Sequence, residues 1–296
     1  MIYVNMSERI QKILSRAGYG SRREIERWVD AGEITVNGVI ATSGQAVKET
    51  DKIVLRGQVL KLDSKLKAKP RTLLYHKKAG EICSRKDPEG RPTVFDHLPK
   101  LSSGRWIQVG RLDINTDGLM LFTTDGELAN RLMHPSYEIE REYSARILGV
   151  VTDDMLERLQ KGVMLEDGEA KFNSIKFIGG EGVNKWYNVV LNEGRNREVR
   201  RLWESQGLVV SRLRRVRYAH IELKRSLRSG SYEEMDIRNM RRLYEKVGLE
   251  LEEENFLSKS EFKDRATRNA AFKYGKGRGK ASKSGGQKTG AKKRQK

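Results

Sequence analysis

The sequence predicts an α+β protein with two folded domains and a basic C-terminal tail. In the first 56 residues, apolar residues recur at helical spacing and are followed by a hairpin pattern. From residue 71 onwards, short alternating stretches between turn residues predict strands, and we expect a mainly antiparallel sheet. After about residue 249 the apolar pattern ends and Lys, Gly and Ser prevail, so we expect disorder. The predicted boundaries are 7–56 and 71–248 for the domains, 57–70 for a linker and 249–296 for the tail.

The charge of the chain indicates a polyanionic partner. There are 59 Lys and Arg residues against 40 Asp and Glu, a formal net charge of +19. Residues 257–296 hold 14 basic and 2 acidic side chains, so this stretch carries +12 and the rest +7. Because even the folded part is basic, we expect nucleic acid as the partner. An anionic membrane is the alternative, but no amphipathic helix of the membrane type supports it.

Few residues are available for metal or cofactor chemistry. Cys83 is the only cysteine, which excludes an internal disulfide and a thiolate metal site. The four histidines lack the spacing of a helical zinc pair, and no phosphate-binding loop follows a strand. We therefore predict no metal and no cofactor. Without an apolar run that could span a bilayer, and without signal-peptide features, we expect a cytoplasmic protein.

The N-terminal domain begins with two predicted helices and a hairpin. Ser7 is positioned to cap the first helix, and Ser21 with Glu24 forms a capping-box pattern at the second. Asn37-Gly38 between two apolar stretches is typical of a two-residue hairpin turn. This order of elements gives a small domain with its own core.

Basic side chains are frequent in this domain, and on their own they indicate only a solvated face. The string from Arg16 to Glu24, R-A-G-Y-G-S-R-R-E, together with the order of elements, resembles the alpha-L RNA-binding domain of a ribosomal protein and several RNA-modifying enzymes. The resemblance implies that this domain binds RNA. Its candidate RNA contacts are Arg16, Ser21, Arg22 and Arg23.

The central stretch of the second domain, from Gly110 to Gly126, reads G-R-L-D-I-N-T-D-G-L-M-L-F-T-T-D-G. Its Asn, Thr, Asp and Gly residues favour a tight loop before an apolar strand. From the residues alone, Asp113 is either a fixed catalytic carboxylate or an ordinary solvated one. The whole string resembles the signature of pseudouridine synthases, in which the aspartate of G-R-L-D is catalytic. The resemblance assigns that role to Asp113. Arg111, two residues earlier, is the candidate supporting cation, since a nearby guanidinium favours a charged carboxylate.

Two further stretches resemble the same family, E-R-E-Y at 140–143 and E-G-R-N-R-E-V-R-R-L at 193–202. By spacing alone, Tyr143 is a core aromatic on an alternating strand and Arg200 pairs with Glu204 one turn along a helix. The resemblance implies other roles. In the family the tyrosine stacks on the target base, and the arginine at the position of Arg200 forms an ion pair with the catalytic aspartate.

Four arginines, Arg195, Arg197, Arg200 and Arg201, crowd the start of a helix that we expect Asn196 to cap. Cations at a helix N-terminus are slightly unfavourable, so we expect these side chains to hold an anion or a carboxylate. We assign Arg195, Arg197 and Arg201 as RNA contacts. Asp117 occupies a position that the family leaves variable, and we expect its side chain to point away from the catalytic aspartate. A last strand is predicted at 232–237.

The function implied by the resemblance is site-specific isomerisation of uridine to pseudouridine in large-subunit ribosomal RNA, by a monomer that flips the base out of its stack. Reactant and product are isomers, so no cofactor is required. The carboxylate either attacks the anomeric carbon of the ribose or abstracts a neighbouring proton. The alternatives are a paralogue that acts on small-subunit RNA and an RNA-binding ribosome-assembly factor without chemistry.

Overall fold

The structure is a computed structural model that describes residues 7–62, 66 and 68–251. In the N-terminal domain two helices pack on short strands around a core that includes Ile13, Leu14 and Ile25. The elements of this domain are β1 Glu8–Arg9, α1 Ile10–Arg16, α2 Arg22–Asp30, β2 Ile34–Val36, β3 Val39–Ile40, β4 Ala46–Val47, β5 Ile53–Leu55 and β6 Gln58–Val59. One sheet has the order β3, β2, β5, β6, and β1 pairs separately with β4.

Two local signals of this domain are confirmed. The N–H of Glu24 donates to Ser21 Oγ and the N–H of Ser21 to Glu24 Oε2, both at 3.2 Å, so the capping box closes the first turn of α2. The hairpin of β2 and β3 turns at Asn37 and Gly38, which have φ angles of 51° and 89°. Because a type I′ turn needs positive φ at both central residues, the Asn-Gly pair suits it.

The start of α1 and the extent of the N-terminal sheet differ from the prediction. Ser7 does not cap α1, because β1 first extends along β4 and the helix begins only at Ile10. The N–H of Ile10 donates instead to the carbonyl oxygen of Gln45 at 2.8 Å. Strand β6 lies within the stretch predicted to be a linker, and it pairs with β5.

The second domain is built on a nine-stranded mixed sheet. Its strands are β7 Thr72–Lys77, β8 Ile107–Val109, β9 Asp117–Thr123, β10 Arg141–Leu148, β13 Ser174–Glu181, β14 Asn184–Leu191, β15 Val209–Tyr218, β16 Ile221–Glu222 and β17 Tyr232–Glu234, while β11 Val163–Leu165 and β12 Gly168–Ala170 form a separate hairpin. The order is β13, β14, β10, β15, β9, β7, β17, with β8 on β9 and β16 on β15. Among the described strands of this sheet, β15 and β9 form the one parallel pair, which confirms a mainly antiparallel sheet.

Helices pack on both faces of this sheet. They are α3 Gly126–Met133, α4 Asp153–Lys161, α5 Glu198–Glu204 and α6 Ile237–Lys246. Phe122 of β9 belongs to the core formed with α4 and α5, whereas its neighbour Leu121 belongs to the core formed with α3 and α6. Because successive strand residues point to opposite faces, one strand contributes to both cores. The α4–α5 side is the one that carries the site.

Asp125, the last aspartate of the central stretch, has a structural role. Its Oδ1 accepts hydrogen bonds from the N–H groups of Glu127 and Leu128 at 2.8 and 3.2 Å and thereby caps α3. Its Oδ2 accepts a hydrogen bond from the hydroxyl of Tyr244 at 2.6 Å. One carboxylate therefore ties α3 to α6.

The C-terminal part of this domain differs from the expected strand and tail. The last strand ends at Glu234, because Asp236 caps α6 by accepting a hydrogen bond from the N–H of Asn239 at 2.9 Å. Leu249 and Leu251, at the start of the predicted tail, pack against the core of α3 and α6. The remainder of that prediction, 252–296, lies outside the described residues. Among the helices described, none has the length and apolar character needed to cross a bilayer.

Candidate active site

A cavity of about 250 Å³ opens where the loop before β9 meets β10, β15 and the loop before α5. Asp113 and Tyr143 both line it, so the fold brings these two predicted site residues together. Arg111 also lines the cavity, with an exposed side chain. Two residues to which the sequence assigned no role also contribute to the walls: Glu198, inside the 193–202 string, and Arg215, outside all the quoted strings. The cavity is therefore rich in ionisable groups.

The backbone of the loop around Asp113 is held by a buried lysine. Nζ of Lys77, a side chain with no exposed surface, donates to the carbonyl oxygens of Asp113, Ile114 and Thr116 at 3.1, 3.3 and 2.8 Å. Burial lowers the pKa of Lys77 from its ordinary value. Its role is not evident from local spacing, because its partners lie more than thirty residues away. Lys77 is a positioning residue for the loop.

Cys83 supports the same loop from another side. Its thiol donates to the carbonyl oxygen of Leu112 at 3.2 Å, and the N–H of Leu112 points back to Sγ at 3.4 Å. Burial raises the pKa of this thiol. No group of three or more His, Cys, Asp or Glu residues in the described part of the chain is arranged to hold a metal ion. The cysteine thus contacts the backbone next to Asp113.

Tyr143 lies on the inward face of β10, as its alternation predicts. Arg141, Tyr143, Ala145 and Ile147 are all buried, and the residues between them are more exposed. The Cα of Tyr143 lies opposite that of Arg215 on β15. A side chain in this position forms a rigid wall of the cavity, against which a flat ring can stack.

Two buried arginines lie beside this wall. Cζ of Arg141 and Cζ of Arg215 are 5.3 and 5.0 Å from the ring centroid of Tyr218. Arg141 donates through Nη1 to two backbone carbonyl oxygens at 2.8 and 2.7 Å, and Arg215 donates through Nε to Leu119 O at 2.7 Å. No ion pair within the described ranges joins either arginine to a carboxylate. This wall of the cavity is therefore positively charged.

Arg200 lies behind the loop of Asp113 and does not form an ion pair with it in this structure. Its Nη1 donates to Val210 O at 2.7 Å and its Nη2 to Asn115 O at 3.4 Å. Burial lowers the pKa of Arg200, as does the charge of Arg197, while the charge of Asp113 raises it. Arg200 is therefore near enough to Asp113 to interact electrostatically, but its contact with the loop is to backbone.

Arg195 and Arg201, two of the predicted RNA contacts, hold the β11–β12 hairpin. Both terminal nitrogens of Arg201 donate to the carboxylate of Asp167 at 2.7 and 2.9 Å. Arg195 donates to three carbonyl oxygens of the hairpin and pairs with Glu193 at 2.8 Å. The anion that these cations hold is thus a carboxylate of the same chain, and Arg201 holds the pKa of Asp167 below its ordinary value.

The start of α5 also differs from the prediction. Asn196 does not cap the helix, which begins at Glu198 after Arg197, a residue with a left-handed φ of 48° and no capping hydrogen bond from its side chain. Arg197 is exposed and pairs with Glu204 at 3.3 Å. Of the three arginines of this segment, it is the one open to solvent at the edge of the cavity.

Glu198 is a buried carboxylate in the cavity wall. It is 3% exposed, its Oε2 accepts a hydrogen bond from the N–H of Arg195 at 3.0 Å, and its Oε1 has no partner among the described residues. Burial raises the pKa of Glu198 to about 7. The negative charge of Glu193 also raises this pKa, whereas the hydrogen bond from Arg195 lowers it. Two signals in the sequence point to it: Glu198 lies within the 193–202 string that resembles the family, and it is an acidic residue on the apolar stripe of the helix, four positions before Leu202.

Asp117 points away from the cavity, as expected. Its two carboxylate oxygens accept hydrogen bonds from Nε and Nη2 of Arg214 at 2.6 and 3.1 Å on the exposed side of β15. The carboxylate does not line the cavity, whereas Asp113 does. The carboxylate of Asp117 is therefore bound on the exposed side of β15, whereas Asp113 faces the cavity.

The four predicted RNA contacts of the N-terminal domain divide into two kinds. Arg16 pairs with Glu8 at 3.3 Å and with Glu49 at 2.6 Å, and Ser21 is used in the capping box. Arg22 and Arg23, in the first turn of α2, have exposed side chains. The latter two are the cations of this set most open to a phosphate backbone.

Two stretches of the chain match known protein families. Residues 71–205 match the RNA pseudouridylate synthase family, and residues 8–53 match the S4 domain family. One similar solved structure is described as a crystal structure of pseudouridylate synthase. It shares 23% identity and a TM-score of 0.57, covering 80% of this chain and 100% of that chain. At this identity the likeness concerns the fold.

Several curated proteins are much more similar in sequence. The ribosomal large subunit pseudouridine synthase B of Pseudomonas aeruginosa is 58% identical over 248 residues, which cover 83% of this chain and 64% of that protein, less than two thirds of its length. The protein of the same name from Haemophilus influenzae is 59% identical over 252 residues, covering 84% and 71%. That of Escherichia coli strain K12 is 57% identical over 246 residues, covering 82% and 84%.

Proposed function

Because the chain belongs to the RNA pseudouridylate synthase family, we propose that it converts specific uridines of large-subunit ribosomal RNA into pseudouridine. The observation that carries the proposal is the cavity in which Asp113 and Tyr143 line neighbouring walls. Within residues 7–62, 66 and 68–251, no basic side chain forms an ion pair with Asp113. Its carboxylate is therefore available to a substrate.

The proposed reaction needs one carboxylate and no external reagent. A flipped uridine enters with its base against Tyr143 and its ribose at Asp113. The C1′–N1 bond breaks, the uracil turns, and C5 forms a new bond to C1′. The proton on C5 is lost and N1 gains one, so the product is an isomer of the substrate. Asp113 acts at the ribose, as a nucleophile at C1′ or as a base beside it, and Lys77 keeps its loop in place.

The proposed substrate and the roles of the domains are inferred from the names of the relatives and from the positions of basic side chains. Three relatives are named as large-subunit enzymes, and the N-terminal S4 domain adds the exposed Arg22 and Arg23. We assign RNA binding to 7–56, catalysis to 71–248 and additional non-specific attraction to the basic tail. A monomer in the cytoplasm, the compartment expected from the sequence, is part of this proposal.

Mapping of pseudouridines in both ribosomal RNAs tests the proposal. Cells with and without the gene should differ at one or a few uridines of the large-subunit RNA, and the purified protein should restore the modification on RNA from the deficient cells. A difference confined to small-subunit RNA would support the paralogue instead. No difference in either RNA would support an assembly factor without chemistry.

A further inference from the structure

Arg215 is a charged side chain that packing alone does not explain. It is 2% exposed and is among the largest fully buried side chains of the described residues. Of its three nitrogens, only Nε donates a hydrogen bond in the part of the chain described, and Nη2 is buried without a partner. A buried guanidinium without a carboxylate is costly, because the lost hydration is not replaced. An anionic partner supplied by a ligand would offset that cost.

The position of Arg215 places it between the two residues of the proposed chemistry. On one side its Cα lies opposite that of Tyr143 on β10. On the other side it pairs in parallel with Gly118, which directly follows the catalytic loop. The approach there is close, since a Cβ on Gly118 would lie 2.3 Å from Arg215 O. Arg215 also lines the cavity, so its charge acts where a base stacked on Tyr143 would lie.

The structural contacts of Arg215 do not require its charge. The aromatic ring of Tyr218 is also covered by Arg141, and the bond from Nε to Leu119 O needs only a neutral donor. Arg200 differs, because both of its terminal nitrogens donate to backbone carbonyl oxygens. Arg200 keeps one unpartnered nitrogen, its buried Nε, whereas in Arg215 the unpartnered nitrogen is a terminal one, Nη2, and this distinguishes the two buried arginines.

We propose that Arg215 is a further catalytic residue, which stabilises the negative charge that develops on the uracil when the glycosidic bond breaks. This inference rests on the proposed function. As the C1′–N1 bond breaks, its electron pair passes to N1 and the charge spreads to the O2 and O4 oxygens. Arg215 donates hydrogen bonds to this anion and keeps all its protons. A cation that the fold already holds in place acts without reorganisation at the moment of reaction.

The experiment compares two leaving groups in single-turnover reactions of the full chain. The substrates are one ribosomal RNA fragment with uridine or with 5-fluorouridine at the target position. Fluorine withdraws electrons, so the fluorinated base carries the negative charge more easily and needs Arg215 less. The readout is the disappearance of the intact target nucleoside after nuclease digestion. Arg215→Met and Arg215→Lys are compared with Arg212→Met, which removes an exposed arginine of the same strand.

We expect Arg215→Met to slow the reaction of uridine by about 10²–10³-fold, with the loss for 5-fluorouridine roughly tenfold smaller. Arg215→Lys should lie between the wild type and Arg215→Met, and Arg212→Met should react like the wild type. A loss of the same size for both substrates would show a purely structural role and overturn the inference alone. A wild-type protein that consumes neither nucleoside would overturn the proposed function and this inference with it.

Discussion

Nζ of Lys77 lies 3.1 Å from the carbonyl oxygen of Asp113, so a side chain from β7 holds the backbone of the residue proposed to carry the chemistry. The same nitrogen contacts two further carbonyl oxygens of the loop. Because the lysine binds the backbone and not the carboxylate, the side chain of Asp113 is left for the substrate. A catalytic group is most effective when the residues around it fix its position in this way.

Replacement of Lys77 by Met should therefore loosen the loop. The carbonyl oxygens of Asp113 and Ile114 would keep backbone donors, the N–H groups of Thr116 and Gly80. Thr116 O would lose the donor that Lys77 supplies, at a cost on the order of 1–3 kcal/mol. We expect a lower melting temperature and a lower kcat at saturating RNA. Lys78→Met, in the exposed neighbour, is the control and should behave like the wild type. An unchanged kcat in folded Lys77→Met would show that the loop does not depend on this lysine.

The two aspartates of the central stretch should behave differently. Asp113→Asn should abolish pseudouridine formation and leave RNA binding nearly intact, because the variant keeps the shape of the cavity. Asp117→Asn should keep most of the activity, since it weakens only an exposed pair with Arg214 that contributes about 0–1 kcal/mol. Product formation and RNA affinity, measured side by side, check both statements. An active Asp113→Asn together with an inactive Asp117→Asn would reverse the assignment.

Tyr143 should act through its ring more than through its hydroxyl. Tyr143→Phe keeps the ring on the cavity wall and should bind the flipped base about as well as the wild type. Tyr143→Ala should lose roughly 1–3 kcal/mol of stacking. The affinity of each variant for an RNA fragment with the target uridine is the measurement. Equal losses in both variants would mean that the hydroxyl group, and not stacking, is what the substrate needs.

Glu198 should make stability depend on pH between about 4.5 and 7. Its folded pKa of about 7 lies above the ordinary value of 4.5, so in this window the folded state holds a proton that the unfolded state releases. The stabilisation that protonated Glu198 contributes to the folded state is therefore fully present below pH 4.5, and it is lost as the pH rises to 7. Glu198→Gln removes the effect, and at pH 8 we expect it to stabilise the protein by on the order of 1–3 kcal/mol relative to the wild type.

Melting temperatures at pH 5 and pH 8 test this for Glu198→Gln. The difference between variant and wild type should be larger at pH 8. Glu204→Gln, on the same helix but exposed, is the matched control and should show no such change with pH. If Glu198→Gln shifted the melting temperature equally at both pH values, the carboxyl group would not titrate in this range.

Features that depend on residues a few positions apart were predictable from the sequence. The capping box of Ser21 and the Asn37-Gly38 turn are of this kind, as is the inward position of Tyr143. The loop of Asp113 was identified by its turn residues and by resemblance to a family. Each of these signals depends on residues that are close together along the chain. Such residues set the backbone geometry of a turn or strand directly, so the sequence is enough to predict it.

Ser7 and Asn196 show where such local signals fail. Each has a residue type that suits a helix cap, but neither occupies the cap position. At Ser7 the strand pair of β1 and β4 overrides the preference, and before α5 the chain reaches the helix through Arg197 with a left-handed φ. A capping preference of about 1 kcal/mol is easily outweighed by the surrounding packing.

The sequence by itself determined that this chain carries an α+β domain with a G-R-L-D loop, a second small domain and a strand that turns Tyr143 inward. Only the tertiary structure decided which cations are free. Arg195 and Arg201 hold Asp167, Lys77 holds the loop of Asp113, and Arg215 remains without a carboxylate in the described part of the cavity. The reason is physical: charge pairing and burial depend on residues brought together from distant parts of the chain, and spacing along the sequence does not encode them.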